Sequence, residues 1–338
     1  MAHVLAVVLF LMSMGVGLYA DSTNRQIQRN DTGLPNLSDR PQTQDRSIDI
    51  FANVLRWHTS ETVDWGHILT SKQNFVQDKY KTIKFDWDSG LRVGLGYNML
   101  HDQWDTQIAY TWFLTQATDH GSGPIVSGFL AARLSLLEPF QTGKITFNLS
   151  YNMFDWDLGR SFLISKSLSL RPFIGAKAGW INQKIHARWT TPNFNGLGFL
   201  YSASESVKNN FQGGGPKGGI SGKWMLGNVD RHAFSLIGNV AGAFMWGHWK
   251  LQDEFTDVFL TQTSIPMKGR NFGAVMLQAL MGLGWDFNFD QNRSHFALKV
   301  SYEFQDWLNH FQVFTNDSGT DNLDLILQGL TLDLRFDF

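Results

Sequence analysis

Three short polar stretches carry residue types that could perform acid–base chemistry. A carboxylate beside an imidazole can move a proton, and with a serine it can support hydrolysis. The candidates are Asp119-His120, His58 with Glu61, and Asp253-Glu254. No spacing links the three, and all fall in predicted loops, where His and Asp are common. We therefore assign no catalytic residue; loss of peptide or lipid hydrolysis on replacing His120 or His58 would support an enzyme instead.

Metal, cofactor and nucleic-acid chemistry are poorly supported by the residues. The chain has no cysteine, which excludes disulfides and thiolate metal sites. Its ten histidines show no ligand spacing, so no metal is assigned. The glycine-rich stretch 213–219 resembles a phosphate loop, but no Ser or Thr follows Lys217 and no helix pattern begins. No cofactor is predicted, and a net charge of −2 argues against binding nucleic acid.

A larger set of charged residues alternates with apolar ones along the chain. Such residues would share the wet face of β-strands, and across a narrow bore they could set a transverse field. The alternative is that they pair with one another and plug the bore. The predicted pore-lining residues are Asp86, Asp88, Arg92, Asp155, Asp157, Arg171, Lys177, Lys217, Lys223, Lys299, Glu303, Asp333 and Arg335.

The strands that position these charges are clearest at the carboxyl end. From Leu330 to Phe338 every even position is apolar and every odd one polar. This alternation predicts a strand with one apolar face. A terminal strand ending in Phe is typical of outer-membrane barrels and must pair with the first strand. The predicted C-terminal assembly signal is Leu332, Leu334, Phe336 and Phe338.

The same pattern recurs and predicts about ten strands. They are 48–57, 82–98, 104–115, 144–162, 168–180, 217–226, 233–249, 271–287, 296–305 and the terminal strand. In the fourth, the apolar row changes phase near Met153–Phe154, which we interpret as a β-bulge. The apolar stretch Ile125–Leu137 could add strands and raise the count to twelve, or form a helix.

Short and long links alternate between these strands, which favours an all-β, closed antiparallel transmembrane barrel with short periplasmic turns and long extracellular loops. Short links are predicted near 99–102, 164–167, 227–231 and 288–294, and long polar ones near 58–80, 119–143, 190–212, 253–269 and 309–322.

Aromatic residues gather near the predicted strand ends, where amphipathic rings suit the headgroup levels of a bilayer. The chain has 13 Trp and 27 Phe but only 17% charged residues. The predicted membrane-interface aromatics are Trp57, Trp87, Tyr97, Trp104, Tyr151, Trp156, Trp180, Trp224, Trp246, Trp285 and Trp307.

The amino-terminal region predicts export. Residues 1–20 read as a signal peptide cleaved after Ala20, although the start of the segment lacks Lys and Arg. Residues 21–46 are polar and aperiodic and predict either a flexible periplasmic segment or a plug, and 47–338 form the predicted barrel. The expected location is the bacterial outer membrane.

One central hairpin also resembles a known family. The stretch from Phe154 to Phe162, followed by Ser165 to Ile181, resembles the Legionella-type pore-forming major outer-membrane proteins, which also occur in chlamydia-like bacteria. The resemblance implies a barrel that admits small solutes. Disulfide cross-linking, known in members of such families, is excluded here because cysteine is absent.

These observations predict a porin-like protein that lets small hydrophilic solutes or ions diffuse through a charged lumen. The alternative is a structural or adhesive barrel with a plugged lumen, acting through outer loops such as Trp189–Phe211. Expected partners are outer-membrane lipid and lipopolysaccharide, the barrel-assembly machinery through the C-terminal strand, and small solutes. A homo-oligomer is possible.

Overall fold

The computed structural model describes residues 47–61, 63–72, 75–99, 103–129, 131–135, 139–192, 198–229, 231–259, 262–289, 294–315 and 319–337. The predicted signal peptide and periplasmic segment, residues 1–46, lie outside the described residues. Within the described ranges, no helix combines the length and hydrophobicity needed to cross a membrane.

Strands make up nearly all of the described chain. The strands are β1 (Ser47–Ser60), β2 (Asp64–Lys72), β3 (Phe75–Thr82), β4 (Trp87–Asn98), β5 (Trp104–Ser127), β6 (Phe140–Arg160), β7 (Phe162–Leu163), β8 (Leu168–Thr191), β9 (Tyr201–Val229), β10 (His232–Asp257), β11 (Gln262–Phe289), β12 (Ser294–Thr315) and β13 (Gly319–Asp337). A single-turn helix, α1 (Ala131–Leu134), lies between β5 and β6.

Ten of these strands close into an antiparallel barrel. The ring runs β1–β4–β5–β6–β8–β9–β10–β11–β12–β13 and returns to β1, with β5–β6 and β1–β13 pairings completing it. The hairpin β2–β3 attaches to the far end of β5, and the short β7 pairs with β8. The predicted ten-strand closed barrel is confirmed. In the described part of the stretch Ile125–Leu137, residues 125–127 end β5 and 131–134 form α1, so these residues add no barrel strand.

Much of the sequence assigned to long links forms extensions of the strands. Residues 201–212 belong to β9, residues 253–257 to β10, and residues 309–315 to β12. The barrel wall therefore continues well past the length that a bilayer needs, which is about 9 to 11 residues for each tilted strand.

The barrel has two tiers, which differ in where the apolar side chains point. In the belt tier, next to the short turns, apolar residues face outward and charged residues face the lumen. In the distal tier, on the far side, apolar residues face the lumen and polar ones face outward. Strand β8 shows the change: Ile174 and Trp180 are exposed, whereas Ile185 and Trp189 are buried.

The predicted β-bulge near Met153–Phe154 is wrong, and the two tiers explain the change of phase. The pairings of β6 with β5 and β8 run through this point without a register shift. Inward and outward positions therefore keep alternating along β6. Tyr151 and Met153 face inward and Phe154 and Trp156 outward, because the apolar row passes from the inner to the outer surface there.

The outer surface of the belt tier is apolar. Three residues of the predicted C-terminal signal, Leu332, Leu334 and Phe336, are exposed on β13, which pairs with both β1 and β12. Phe338 lies outside the described residues. Other exposed apolar residues of this surface are Leu91, Val93, Leu95, Ile108, Phe154, Ile174, Ile220, Phe244, Met281, Leu283 and Val300.

The distal tier is filled by a hydrophobic core, as in a water-soluble barrel. Its rings pack edge to face or stacked, with centroids 5.1 Å apart for Phe85–Phe147 and 5.9 Å for Phe140–Trp189. The fully buried members include Val63, Trp65, Ile125, Phe129, Phe140, Ile145, Phe147, Ile185, Trp189, Tyr201, Val207 and Phe255.

Candidate functional site

The lumen of the belt tier contains a charged chamber of about 260 Å³. Residues from β1, β4, β5, β6 and β8 through β13 line it, so all ten strands of the ring contribute to it. The charged residues of the chamber occupy inward-facing positions, which alternate along each strand with apolar outward-facing positions. The chamber is therefore a consequence of strand alternation within the belt tier.

A buried ion pair spans the top of the chamber. Arg92 on β4 donates two hydrogen bonds to the carboxylate of Glu303 on β12, at 3.1 and 2.9 Å. Gln278 and Thr331 also donate to that carboxylate, at 2.8 and 3.1 Å. Both glutamate oxygens are thus satisfied, and the pair links two strands that are not neighbours in the ring.

A four-residue cluster of alternating charge occupies the opposite wall. Lys177 binds Asp155 at 2.9 Å, and Lys217 bridges Asp155 and Asp157 at 3.0 and 3.1 Å. The Lys177 and Lys217 side chains are largely buried. Buried ammonium groups of this kind require paired carboxylates, because an unpaired buried charge is strongly destabilising.

A histidine joins two carboxylates near the short turns. Nε2 of the fully buried His295 lies 3.0 Å from Asp286, and Nδ1 lies 2.7 Å from Asp337. Lys223 also reaches Asp286, at 2.9 Å, and Nε of Arg335 donates to Asp337 at 3.2 Å. The network ties β13, the closing strand, to β9, β11 and β12.

Two further arginine–carboxylate pairs lie in the lumen. Nε of Arg171 donates to both oxygens of Asp105, at 2.9 and 3.0 Å, and Arg335 contacts Asp49 at 2.9 Å. Gly96 faces that Asp49 carboxylate so closely that a Cβ would collide with it. With these pairs included, every strong charge cluster in the described chamber contains both signs. The arrangement matches the paired alternative rather than two opposed rows of like charge.

A layer of buried aromatic rings separates the chamber from the distal tier. Trp57 packs against Phe113 and Tyr151, with ring centroids 5.6 and 6.5 Å apart. Tyr151 packs against Trp307 at 6.0 Å. We call Trp57, Phe113, Tyr151, Phe211, Trp249 and Trp307 the aromatic layer.

The aromatic layer reaches across the lumen from wall to wall. Phe211 on β9 closes it, with its ring 6.3 Å from Trp307 and 4.3 Å from Trp249. Gly247 on β10 makes room for the Phe211 ring, since a Cβ there would overlap it. The gaps are filled by the buried side chains of Leu55, Met153, Met245, Met276, Leu325 and Leu327.

A histidine beside the aromatic layer is held neutral. His310 is fully buried on the distal side of Trp307, and its ring centroid is 5.0 Å from Phe211. Burial among these rings lowers the pKa of His310 to about 3. His310 therefore places no imidazolium charge against the layer at neutral pH.

The distal core also contains a small polar cluster. Nε2 of Gln183 donates to both oxygens of Glu61, at 3.0 and 2.9 Å, and Asn209 donates to Gln183 at 3.3 Å. Burial raises the pKa of Glu61 well above its usual value. Burial also raises the pKa of Asp253, to about 6, partly offset by a hydrogen bond with Glu205.

Most of the predicted pore-lining residues lie in the chamber or its ion pairs. There are two exceptions. Asp88 is hydrogen-bonded to Thr115 and not to a residue of the chamber. Asp86 is exposed in the connector between β3 and β4, so its assignment to the lumen is wrong. The connector is not a strand, and its inward positions are taken by Ile83 and Phe85. Asp88 begins the inward row of β4 and accepts a hydrogen bond from Thr115 at 2.5 Å. Lys299 and Asp333 also line the chamber.

The predicted interface aromatics separate into two groups. Trp57, Tyr151 and Trp307 are fully buried in the aromatic layer, so their assignment to the lipid interface is wrong. They occupy inward positions at the level where the lumen becomes apolar. The remaining eight lie on the outward row of the belt tier: Trp87, Tyr97, Trp104, Trp156, Trp180, Trp224, Trp246 and Trp285.

The candidate acid–base residues do not converge. Asp119 accepts a hydrogen bond from Nε1 of Trp65 at 3.1 Å, while its neighbour His120 is exposed. Glu61 is buried against Gln183, and His58 packs near Trp87 on the outer surface. Within the described ranges, no group of three or more His, Asp or Glu residues could hold a metal ion.

The residues that sequence reasoning missed are those of the aromatic layer and the distal core. The sequence pattern predicts Phe211 at the end of an outer loop and does not distinguish Phe113 or Trp249, although all three close the lumen. The change of phase at Met153 indicates where the aromatic layer lies. If a strand keeps its register while its apolar residues change from one face to the other, the surroundings of both faces must change at that point.

Comparison with known proteins relates nearly the whole chain to one family. The family model described as Legionella pneumophila major outer membrane protein precursor matches residues 41–338. Among curated proteins, none matches the chain significantly.

Several solved outer-membrane proteins show a distant likeness. Escherichia coli outer membrane protease OmpT is 11% identical, with 88% of this chain and 97% of that chain covered and a TM-score of 0.38. The Pseudomonas putida toluene transporter TodX is 8% identical, with coverage of 89% and 92% and a TM-score of 0.26. Ail of Yersinia pestis is 10% identical, with coverage of 87% and 98% and a TM-score of 0.24. At these scores none of the three bears on activity.

Proposed function

We propose that this chain, which belongs to the Legionella pneumophila major outer membrane protein family, serves as a closed outer-membrane barrel that presents its distal tier at the cell surface. The observation that supports this is the aromatic layer. Its rings are fully or almost fully buried and span the lumen from β1 to β9 and β10. A dry, packed layer leaves no path for hydrated solutes in this conformation.

The orientation of the two tiers follows from the links. Short turns at one end of an outer-membrane barrel face the periplasm, and the longer end faces outward. The belt tier adjoins the short turns, so the distal tier extends beyond the outer leaflet. A folded, apolar-filled wall standing above the membrane suits a structural or surface-contact role better than a channel mouth.

A second candidate function, passage of small hydrophilic solutes or ions, is favoured by the charged chamber. Arg92, Lys217 and Asp157 line a space of about 260 Å³ below the aromatic layer. In a barrel of eight strands, side chains fill the lumen, whereas barrels of sixteen or more strands enclose a wide aqueous channel. A barrel of ten strands lies between these cases. Passage through this barrel therefore requires the aromatic layer to open.

Conductance measurements separate the two functions. The refolded wild-type protein in planar bilayers is expected to show no steady conductance steps, whereas the double variant Trp57→Ala/Trp307→Ala is expected to conduct. Trp246→Ala, which removes an exposed indole from the outer surface, is the matched control and should behave as wild type. Reproducible wild-type steps as large as those of the double variant would contradict the closed barrel and favour the pore.

A test of the surface-contact role should leave the strands of the distal tier intact. Deleting the stretch 191–210 would remove nearly all of the distal part of β9, where Tyr201–Asn210 pair with β8 and Ala203–Asn210 also pair with β10. Substituting the exposed tip residues Phe199 and Phe259 with Ser keeps these ladders. Loss of whole-cell binding in this variant, with the barrel still heat-modifiable on a gel, would support an adhesive role; unchanged binding would exclude this tip as the contact.

A further inference from the structure

One wall of the distal tier carries positive charge on its outer surface. Outward positions on β6, β8 and β9 and on the distal part of β10 hold basic residues, while their neighbours along each strand are buried apolar or polar core residues. We call this set the cationic wall: Lys144, Lys184, His186, Arg188, Lys208 and Lys250.

The cationic wall begins a short distance above the apolar belt. On β8 the last large exposed apolar residue is Trp180, and Lys184 follows four residues later. On β10 the same spacing separates Trp246 from Lys250. Four residues span about 13 Å of strand, or about 10 Å along the membrane normal at the usual tilt. These ammonium groups therefore stand at the level of lipid headgroups and of the sugars just above them.

The barrel sets like charges directly opposite one another in this wall. Lys184 on β8 pairs in register with Lys208 on β9, and Lys144 on β6 pairs with Arg188 on β8. Like charges directly opposite across a ladder are destabilising. Among the described ion pairs, the set has one acidic partner, Glu254, which lies 3.9 Å from Lys208 with both side chains exposed. An exposed pair at that distance contributes little.

A cleft of about 300 Å³ in the same wall offers basic and hydroxyl groups beside one carboxylate, that of the buried Asp257. Imidazole, guanidinium and hydroxyl groups suit phosphate and sugar oxygens, and a guanidinium can bind a phosphate through two hydrogen bonds. The cleft is lined by His186, Arg188, Ser202, Ser204, Thr256, Asp257 and Val258.

We propose that the cationic wall binds the phosphate groups of the outer-leaflet glycolipid, lipid A with its phosphorylated inner core. The inference rests on the proposed orientation, in which the distal tier projects from the outer leaflet. The wall faces sideways, along the membrane plane, and starts where the apolar belt ends. A glycolipid whose acyl chains lie on that belt would bring its phosphates to Lys184, Lys208 and Lys250, whereas a soluble polyanion has no such alignment.

The test uses the full chain refolded in detergent, with diphosphoryl lipid A as probe and its monophosphoryl form for comparison. Wild type should bind the diphosphoryl form more tightly and lose affinity as salt increases. Lys184→Gln/Lys208→Gln should weaken binding at least about tenfold, because the two ammonium groups would no longer donate charge-assisted hydrogen bonds to phosphate. The control Lys166→Gln/Arg231→Gln removes two exposed charges at the short turns and should leave binding unchanged.

Three outcomes would overturn the proposal. They are equal binding by wild type and the Lys184/Lys208 variant, equal loss in the control, and binding of soluble heparin without binding of lipid A. The orientation is checked by a separate labelling experiment. Because the chain has no cysteine, an introduced cysteine is its single reactive thiol. Ser206→Cys, at an outward position of β9 that pairs with His186, should react with a membrane-impermeant maleimide on intact cells. Labelling without lipid A binding would reject the lipid site alone; absence of labelling would reject the orientation on which both proposals depend.

Discussion

The belt tier and the distal tier are built from the same strands yet are organised in opposite ways. On β8, Ile174 faces outward and Lys177 inward, but a few residues later Lys184 faces outward and Ile185 inward. The odd-numbered residues of β8 face inward along the whole strand, because β8 pairs with β9 without a register shift. What changes is the solvent outside the wall.

This difference shows that alternation alone does not identify a membrane face. Hydrocarbon outside the belt tier selects apolar outward residues and leaves the polar row to pair within the lumen. Water outside the distal tier selects polar outward residues, and the lumen then becomes the place where apolar side chains are buried. The aromatic layer lies where these two arrangements meet, because its inward rings join the distal core to the charged chamber.

Among these tests of the two tiers, breaking a charge pair in the lumen of the belt tier should have the largest effect on the free energy of unfolding. Glu303→Leu leaves Arg92 buried without its counter-charge and should destabilise the barrel by about 3–5 kcal/mol. Urea unfolding in lipid vesicles would measure this. The double variant Arg92→Met/Glu303→Leu should recover most of the loss, since both buried charges are gone. No recovery would show that the pair does not act as a unit.

Moving a lysine along the outer face of one strand tests where the solvent changes. Ile174→Lys places an ammonium in the apolar belt and should cost about 2–4 kcal/mol in a bilayer. Asn182→Lys, on the same face of β8 beyond Trp180, should cost less than about 0.5 kcal/mol. The same unfolding measurement applies to both. Equal costs at the two positions would contradict the boundary at Trp180.

The distal core should respond to pH through Asp253. Burial raises the pKa of this carboxyl from 3.8 to about 6. The folded chain therefore binds a proton more tightly than the unfolded chain, and stability falls as pH rises from about 4 to about 6. Asp253→Asn should remove this dependence and stabilise the barrel at pH 7.5, by at most about 3 kcal/mol. Unfolding midpoints at pH 4.5 and 7.5 would check it; an unchanged pH profile would contradict it.

The smallest effect is expected on the outer surface of the distal tier. His186→Gln changes an exposed side chain in water and should alter stability by no more than about 0.5 kcal/mol. Thermal melting of the refolded protein would measure it. Ile185→Gln, one residue away on the inward row, is the contrasting variant and should destabilise strongly, because it places an amide in the distal core. Similar melting temperatures for the two variants would show that the inward and outward rows are not distinct there.

Local sequence determined the strands and the antiparallel arrangement of strands that follow one another in the chain. The period of two at Leu330–Phe336, repeated along the chain, requires a half-buried sheet, and the alternating links require antiparallel neighbours. The inward positions of Arg92, Lys177 and Glu303 in the belt tier follow from the same period. Each of these features depends on residues close together in sequence, which is why the sequence could predict them.

Only the tertiary structure decided which surface each row faces at each level. Trp57, Tyr151 and Trp307 belong to apolar rows, as Trp180 and Trp246 do, yet the first three close the lumen and the other two stand on the outer wall. Likewise Arg92 meets Glu303 from a strand three places away in the ring. The physical reason is that the alternation along a strand separates its residues into two faces. It does not determine whether each face contacts lipid, water or the packed interior. The closed barrel and the length of wall beyond the bilayer decide those.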